Sequence, residues 1–205
     1  YSTGQRCTAS SRLIVQKGIL PRFVDAMKAR LEALVVDDAR NPGTQIGPVV
    51  DQAQLDTDLE YLAAGRAEGA RLLCGGERVK RATDGYYLTP ALFVDAAPTM
   101  RIAREEIFGP IACVIAADGY EHALALANDT EFGLSSGICT SSLKHATHFK
   151  RQAQAGMVMV NAPTAGVDYH VPFGGRKGSS YGPKEQGKYA AEFFTQVKTA
   201  YTAAG

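Results

Sequence analysis

Arg104-Glu105-Glu106-Ile107-Phe108-Gly109-Pro110-Ile111-Ala112-Cys113-Val114-Ile115-Ala116 runs from an acidic pair through a Gly-Pro turn into an unbroken apolar segment. Residues 111–116 read as a strand, and a strand apolar on both faces belongs inside a parallel sheet covered by helices. Short β-rich runs and helical patterns alternate on either side of it, the order such a sheet requires.

Upstream, Arg12 to Gln16 reads as a strand and Pro21 to Val36 as a helix, with Phe23, Met27, Leu31 and Leu34 on one face and Pro21 in the first turn. After the loop Asn41-Pro42-Gly43, a second helix is expected from its N-cap Asp51 to Glu68, stopped by Gly69. Arg71 to Cys74 is a strand ended by Gly75-Gly76; 77–85 is a turn, and 86–94 returns extended. Downstream, the pattern predicts a helix over 120–128, a strand over 135–139, a helix over 141–155 and a strand over 157–161. The segment 172–187 holds five glycines and reads as loop. The tail 193–202 alternates as a strand with no local neighbour, and a lone strand needs one.

The 205 residues are enough for one large or two small domains. The net charge of +1 and the scattered Lys and Arg offer no basic block for nucleic acid or anionic lipid. No apolar stretch is long enough to span a bilayer, and no secretory signal opens the chain. Cys7, Cys74, Cys113 and Cys139 show neither CxxC pairing nor metal spacing, so no metal is expected, and free thiols point to a reducing, cytoplasmic setting.

The opening run Tyr1-Ser2-Thr3-Gly4-Gln5-Arg6-Cys7-Thr8-Ala9-Ser10-Ser11-Arg12 resembles the Gly-Gln-x-Cys segment of NAD(P)-dependent aldehyde dehydrogenases. Arg104 to Pro110 resembles the Glu-Glu-Ile-Phe-Gly-Pro cofactor motif of the same family. The two occur in the family's order, and the resemblance covers essentially the whole chain. It implies a three-layer α/β catalytic domain around a mainly parallel sheet over residues 1–190, with a C-terminal oligomerisation strand in 191–205.

By that resemblance Cys7 is the nucleophile. A thiolate can form a thiohemiacetal from which hydride leaves, then a thioester that water cleaves. Taken alone, Cys7 reads as one more buried thiol; the resemblance reverses that in favour of the nucleophile, and the other three cysteines, in strand-like apolar contexts, read as structural. Glu106 is implied to hold the ribose of NAD or NADP, and Phe108 to pack beside the nicotinamide. Val171-Pro172-Phe173-Gly174-Gly175 resembles the segment whose phenylalanine walls the aldehyde pocket, which makes Phe173 the substrate-side candidate. The loop 161–169, with Gly166, Val167 and Asp168, is expected to tune substrate preference.

The string from Gly166 to Gly187 is most similar to bacterial 2-oxoglutarate semialdehyde (2,5-dioxovalerate) dehydrogenases. Related succinate semialdehyde enzymes carry an arginine six residues before the cysteine, where Tyr1 stands here. The family's general base, a glutamate about thirty residues before the cysteine, and its adenosine-binding half have no counterpart in these residues. The chain therefore looks like the C-terminal part of a longer enzyme, inactive alone, that forms a homodimer or homotetramer through its last strand. Two other readings remain: a cysteine hydrolase pairing Cys7 with His122, His145, His148 or His170, and a non-catalytic α/β binding or oligomerisation module.

Overall fold

A computed structural model describes residues 2–205. The elements follow in the order β1 (Arg12–Gln16), α1 (Leu20–Glu32), α2 (Gln52–Ala67), β2 (Arg71–Cys74), β3 (Ala91–Val94), α3 (Arg101–Arg104), β4 (Ile111–Ala117), α4 (Tyr120–Asn128), β5 (Ser135–Ile138), α5 (Leu143–Gln152), β6 (Met157–Val160) and α6 (Ala190–Phe194). The main sheet has the order β1-β4-β3-β2, and β5 pairs with β6 separately. β1, β4 and β3 run parallel, β5 and β6 are parallel to each other, and β2 is antiparallel to β3. The sheet is thus mainly parallel.

Period-two alternation sends successive residues of the central strands into two different cores. Phe93, Ile111, Cys113 and Ile115 face Leu55 and Leu62 of α2 and Ile102 of α3. Leu92, Val94, Val114 and Val15 face the opposite way, against Phe23, Val24, Met27 and Leu31 of α1. Helices therefore cover both faces, giving the three layers expected. Asp51 caps α2, its carboxylate accepting from the Gln54 N–H, and Gly69 ends the turn at φ 97°.

Helix α1 stops at Glu32 rather than at Val36. Val36 instead forms a parallel bridge with Ile46, and the Val35 carbonyl accepts from the N–H groups of Gln45 and Ile46 at 3.0 and 3.1 Å. Leu34, at helical spacing from Leu31, packs into a separate small core with Val36, Ile46 and Tyr87. Helix α5 is likewise shorter than expected, running from the Ser142 cap to Gln152, with Ala153 extended.

The tail departs most from its pattern. Phe193 and Phe194 lie in α6, and residues 195–205 form no ladder. Val197 is 100% exposed and Tyr201 96%. A strand is stable only when its N–H and C=O groups find a partner backbone, and within one chain no described edge supplies it. Among the described residues no helix is long and apolar enough to cross a membrane.

Phe93 is fully buried beneath α2, where a β-carbon on Gly65 would fall 2.9 Å from its ring. Substituting Phe93→Ala is expected to cost about 3–5 kcal/mol, because the helix above it cannot collapse into the space left. Urea denaturation should show a lower midpoint at an unchanged slope.

Candidate active site

Cys7 lies at the exposed tip of a tight turn closed by the Ala9 N–H donating to the Arg6 carbonyl at 2.9 Å. Three attachments fix this loop. The buried Thr3 hydroxyl donates to the Gly47 carbonyl at 3.0 Å, and Gln5 Oε1 accepts from the Val50 N–H at 2.9 Å, tying the loop to the segment that leads into α2. From the loop after β6, the Thr164 hydroxyl donates to the Thr8 carbonyl at 2.7 Å and lies 2.9 Å from the Ser10 hydroxyl.

The third attachment is backbone against backbone. Gly4 adopts φ 71°, and a β-carbon on it would lie 2.0 Å from the Gly109 carbonyl oxygen. Only glycine satisfies both the conformation and the clearance. The two motifs that lie about a hundred residues apart in the chain therefore touch. Gly109 is equally confined on its other side, where a β-carbon would lie 1.9 Å from Asp58 Oδ1.

On this turn Ile107 is buried while Glu106 and Phe108 are exposed, and Phe108 holds φ 58°. Positive φ in a bulky residue is strained, and such strain gathers at functional sites. The neighbouring Glu105 is fully engaged. Arg101 donates to it from Nε and Nη2, and the Tyr61 hydroxyl donates to Oε2 at 2.8 Å. The hydrogen bonds from Arg101, then that from Tyr61, hold the Glu105 carboxyl below its usual range. Glu106 has no such partner among the described residues, which leaves its carboxylate free for a ligand.

A cleft of about 230 Å³ opens beside Cys7, lined by Arg6, Cys7, Thr8, Gly166, Val167, Phe173 and Gln186. Phe173 is thus beside the cysteine as expected, and Gly166 and Val167 of the variable loop join it, whereas Asp168 is not in the lining. Glu106 and Phe108 do not line this cleft; they connect to it through the Gly109–Gly4 contact. None of the four histidines lines it either. His122 pairs with Asp118 at 3.0 Å, Tyr120 bonds His148 at 2.8 Å and stacks on His145, and His170 packs on Tyr169. A Cys–His hydrolase therefore has no base in place among the described residues.

The cysteines separate by environment. Cys113 is buried, donates to the Ile102 carbonyl at 3.5 Å, and burial pushes its thiol up to about 11. Burial also raises that of Cys74, with Glu32 adding to it. Cys139 is exposed, contrary to the apolar setting expected for it. Tyr1, where related enzymes carry an arginine, lies outside the described residues.

Two features of the site are not among the residues named from the sequence. Gln186, in a glycine-rich loop, gives no signal. Asp58 does give one: Leu55, Asp58 and Leu62 share helical spacing on α2, which places an acid in the buried stripe. Asp58 is completely buried, Gln54 Nε2 donates to its Oδ1 at 2.9 Å and to the Ile107 carbonyl at 3.1 Å, and Oδ2 has no partner.

Residues 1–200 match the aldehyde dehydrogenase family. The chain is 44% identical over 98% of its length to an alpha-ketoglutaric semialdehyde dehydrogenase of Bacillus subtilis (strain 168), covering 41% of that protein. It is 42% identical over its whole length to a betaine aldehyde dehydrogenase of Sinorhizobium fredii, covering 42% of it. Among solved structures, HpcC from Thermus thermophilus superposes with TM-score 0.91 at 42% identity, over 97% of this chain and 39% of that one. A Mycobacterium tuberculosis aldehyde dehydrogenase complexed with NAD+ gives 0.90 at 33%, over 98% and 42%. The chain belongs to the aldehyde dehydrogenase family, and it spans about two fifths of the length of these relatives.

Burial, opposed by the Gln54 hydrogen bond, pushes the Asp58 carboxyl up to about 6. The folded state therefore retains a proton that the unfolded chain releases near pH 4. The resulting stabilisation is complete below about pH 4 and is lost as pH rises through about 6, with an upper size of about 3 kcal/mol. Asp58→Asn keeps the group neutral at every pH. The variant should be more stable than the parent above pH 6 by up to about that amount, with the difference closing toward pH 4, as read from urea melts across the range.

Proposed function

We propose that Cys7 is the nucleophile in the oxidation of an aldehyde to a carboxylic acid with NAD or NADP, carried out by a protein that includes this chain. The observation that carries the proposal is the packing of the Cys7 loop on the Glu106–Gly109 turn, in a chain of this family. As thiolate, Cys7 attacks the carbonyl carbon, a C–S bond forms and the carbonyl oxygen becomes an oxyanion. The Cys7 and Thr8 N–H groups donate to no acceptor among the described residues, so they are available to that oxygen. A bound nicotinamide supplies the acceptor for the hydride. Water then cleaves the thioester, releasing the acid and restoring the thiol.

The residues present suit such a cofactor. Glu106 presents a carboxylate able to accept from two vicinal ribose hydroxyls, and the Phe108 side chain, 40% exposed, offers an aromatic wall on the same turn. The general base that the family resemblance places ahead of the cysteine is not among these residues, so the 205-residue chain by itself is expected to oxidise no aldehyde.

The reading for substrate is 2-oxoglutarate semialdehyde. Identity alone does not separate the relatives, since 44% and 42% are equivalent. The lining does favour one side. Arg6 is the one charged residue in the lining, and Phe173 is the single aromatic there, short of a cage for a quaternary ammonium. We assign residues 1–190 to the catalytic domain and 191–205 to a tail that adds a strand to a second copy in a homodimer or homotetramer. The exposed alternation at Val197 and Tyr201 supports that assignment. Four free cysteines fit the cytoplasm.

The complete gene product should form reduced nicotinamide from an aldehyde, and Cys7→Ala should lower the rate on the order of 10⁴-fold or more. A folded Cys7→Ala protein that retains the parent rate would remove the proposal. Glu106→Gln should raise the KM for the dinucleotide about tenfold with a smaller change in kcat, because a charge-assisted hydrogen bond is weakened. Steady-state kinetics against cofactor concentration reads that split.

A further inference from the structure

Asp58 is a carboxyl group at a position where packing alone calls for an apolar one. It stands on α2 between Leu55 and Leu62, which are buried, and is itself completely buried. Burying a carboxyl costs free energy that an apolar side chain in the same stripe avoids. Among the described residues its hydrogen bond comes from Gln54, one helical turn earlier, and Gln54 leads on to the Glu106–Gly109 turn.

The Gln54 carboxamide nitrogen carries two protons that point in different directions. One goes to Asp58 Oδ1 at 2.9 Å and the other to the Ile107 carbonyl at 3.1 Å. Both partners are acceptors, so only the nitrogen end of the amide satisfies them together. Asp58 thereby sets which end of Gln54 faces the turn; without it the amide can rotate its oxygen toward the Ile107 carbonyl, and the bond is lost.

The carbonyl held in this way belongs to the peptide that joins Ile107 to Phe108. Phe108 keeps φ 58°, a conformation that persists in a bulky residue only where the surroundings hold it. Gln54 holds the peptide before Phe108, and Gly109 after it packs against the Asp58 carboxyl. Helix α2 also grips Glu105 through the Tyr61 hydroxyl, but that bond is exposed to water, whereas the Gln54 bonds are part-buried and less weakened by competition. Glu106 lies between the two grips.

Resting on the dehydrogenase reading above, we infer that Asp58 is a positioning residue for the cofactor: by accepting one Gln54 proton it aims the other at the Ile107 carbonyl, and so fixes the turn that presents Glu106 and Phe108 to the dinucleotide.

The test uses the complete gene product with Asp58→Ala, Gln54→Leu, the two together, and Asp58→Asn. Asp58→Ala should raise the KM for NAD or NADP, whichever the parent reduces, about three- to tenfold, with kcat and the aldehyde KM changed less than about twofold. Gln54→Leu should do at least as much, and adding Asp58→Ala to it should raise the KM no further, because both act through one amide. Asp58→Asn, whose carboxamide oxygen still accepts from Gln54, should stay within about threefold of the parent although its stability differs. An acid that only supported the fold would instead lower the active fraction and leave both KM values alone. A parental cofactor KM in Asp58→Ala would overturn the assignment. So would an Asp58→Ala effect that persists undiminished beside Gln54→Leu, since Asp58 would then act as a wall against Gly109 and not through the amide. A second readout needs no turnover: amide hydrogen exchange over residues 104–109 of the ligand-free protein should quicken about three- to tenfold in Asp58→Ala and not in Asp58→Asn. If the parent reduces neither dinucleotide, the dehydrogenase reading falls, and the exchange rates still decide whether Asp58 holds the turn.

Discussion

The active-site geometry depends on a stack of three groups with no spare volume: the backbone of Gly4, the backbone of Gly109 and the carboxyl of Asp58. A β-carbon on either glycine would fall 2.0 Å or less from the group facing it. Contacts between side chains can slide by rotamer changes, whereas backbone against backbone leaves no such freedom. The separation between the Cys7 loop and the turn carrying Glu106 and Phe108 is consequently fixed by covalent dimensions. Gln54 reinforces it, bonding both Asp58 and the Ile107 carbonyl from one amide. The buried acid beneath is an electrostatic liability retained at the point where the loop and turn must be held closest.

Sheet topology explains why these two loops meet at all. β1 and β4 are adjacent and parallel, in a register that sets Arg12 opposite Cys113. The segments that enter two neighbouring parallel strands must emerge at the same end of the sheet. The Cys7 loop precedes β1 and the Glu106–Gly109 turn precedes β4, so about a hundred residues of intervening chain return to within one contact. Ligands of open α/β sheets usually sit at the carboxyl ends of the strands. Here the candidate residues lie at the amino ends, an arrangement that fits a domain which faces a cofactor rather than enclosing it.

Much of this was legible in the sequence because the signals were local and strong. The doubly apolar run at Ile111 to Ala117 specified a central parallel strand, and Asp51 and Gly69 marked both ends of α2. Failures arose where a distant partner overrode a local pattern. Leu34 continued the α1 stripe at proper spacing, yet the bridge from Val36 to Ile46 drew the chain out of the helix. At 193–202 the alternation was real, but a strand requires a neighbour that a single chain does not provide. In the site, Cys7 and Phe173 could be named from their motifs. Their meeting with Gln186 depends on the Phe173–Glu185 bridge, which spacing does not encode.

The cysteine loop and the cleft wall are consequently held by different means in this molecule. Cys7 is positioned from the sheet side, through Gly4 on Gly109 and through Gln5 on the segment leading into α2. The cleft wall is positioned by loops alone, through the Phe173–Glu185 bridge and Thr164 on Thr8. A change in the wall leaves the stack beneath Cys7 untouched, because the two sets of contacts share no residue apart from the loop that carries the thiol. Loops can vary in sequence more freely than packed strands. The lining around Cys7 can therefore vary at Val167 and its neighbours while the stack of Gly4, Gly109 and Asp58 stays fixed.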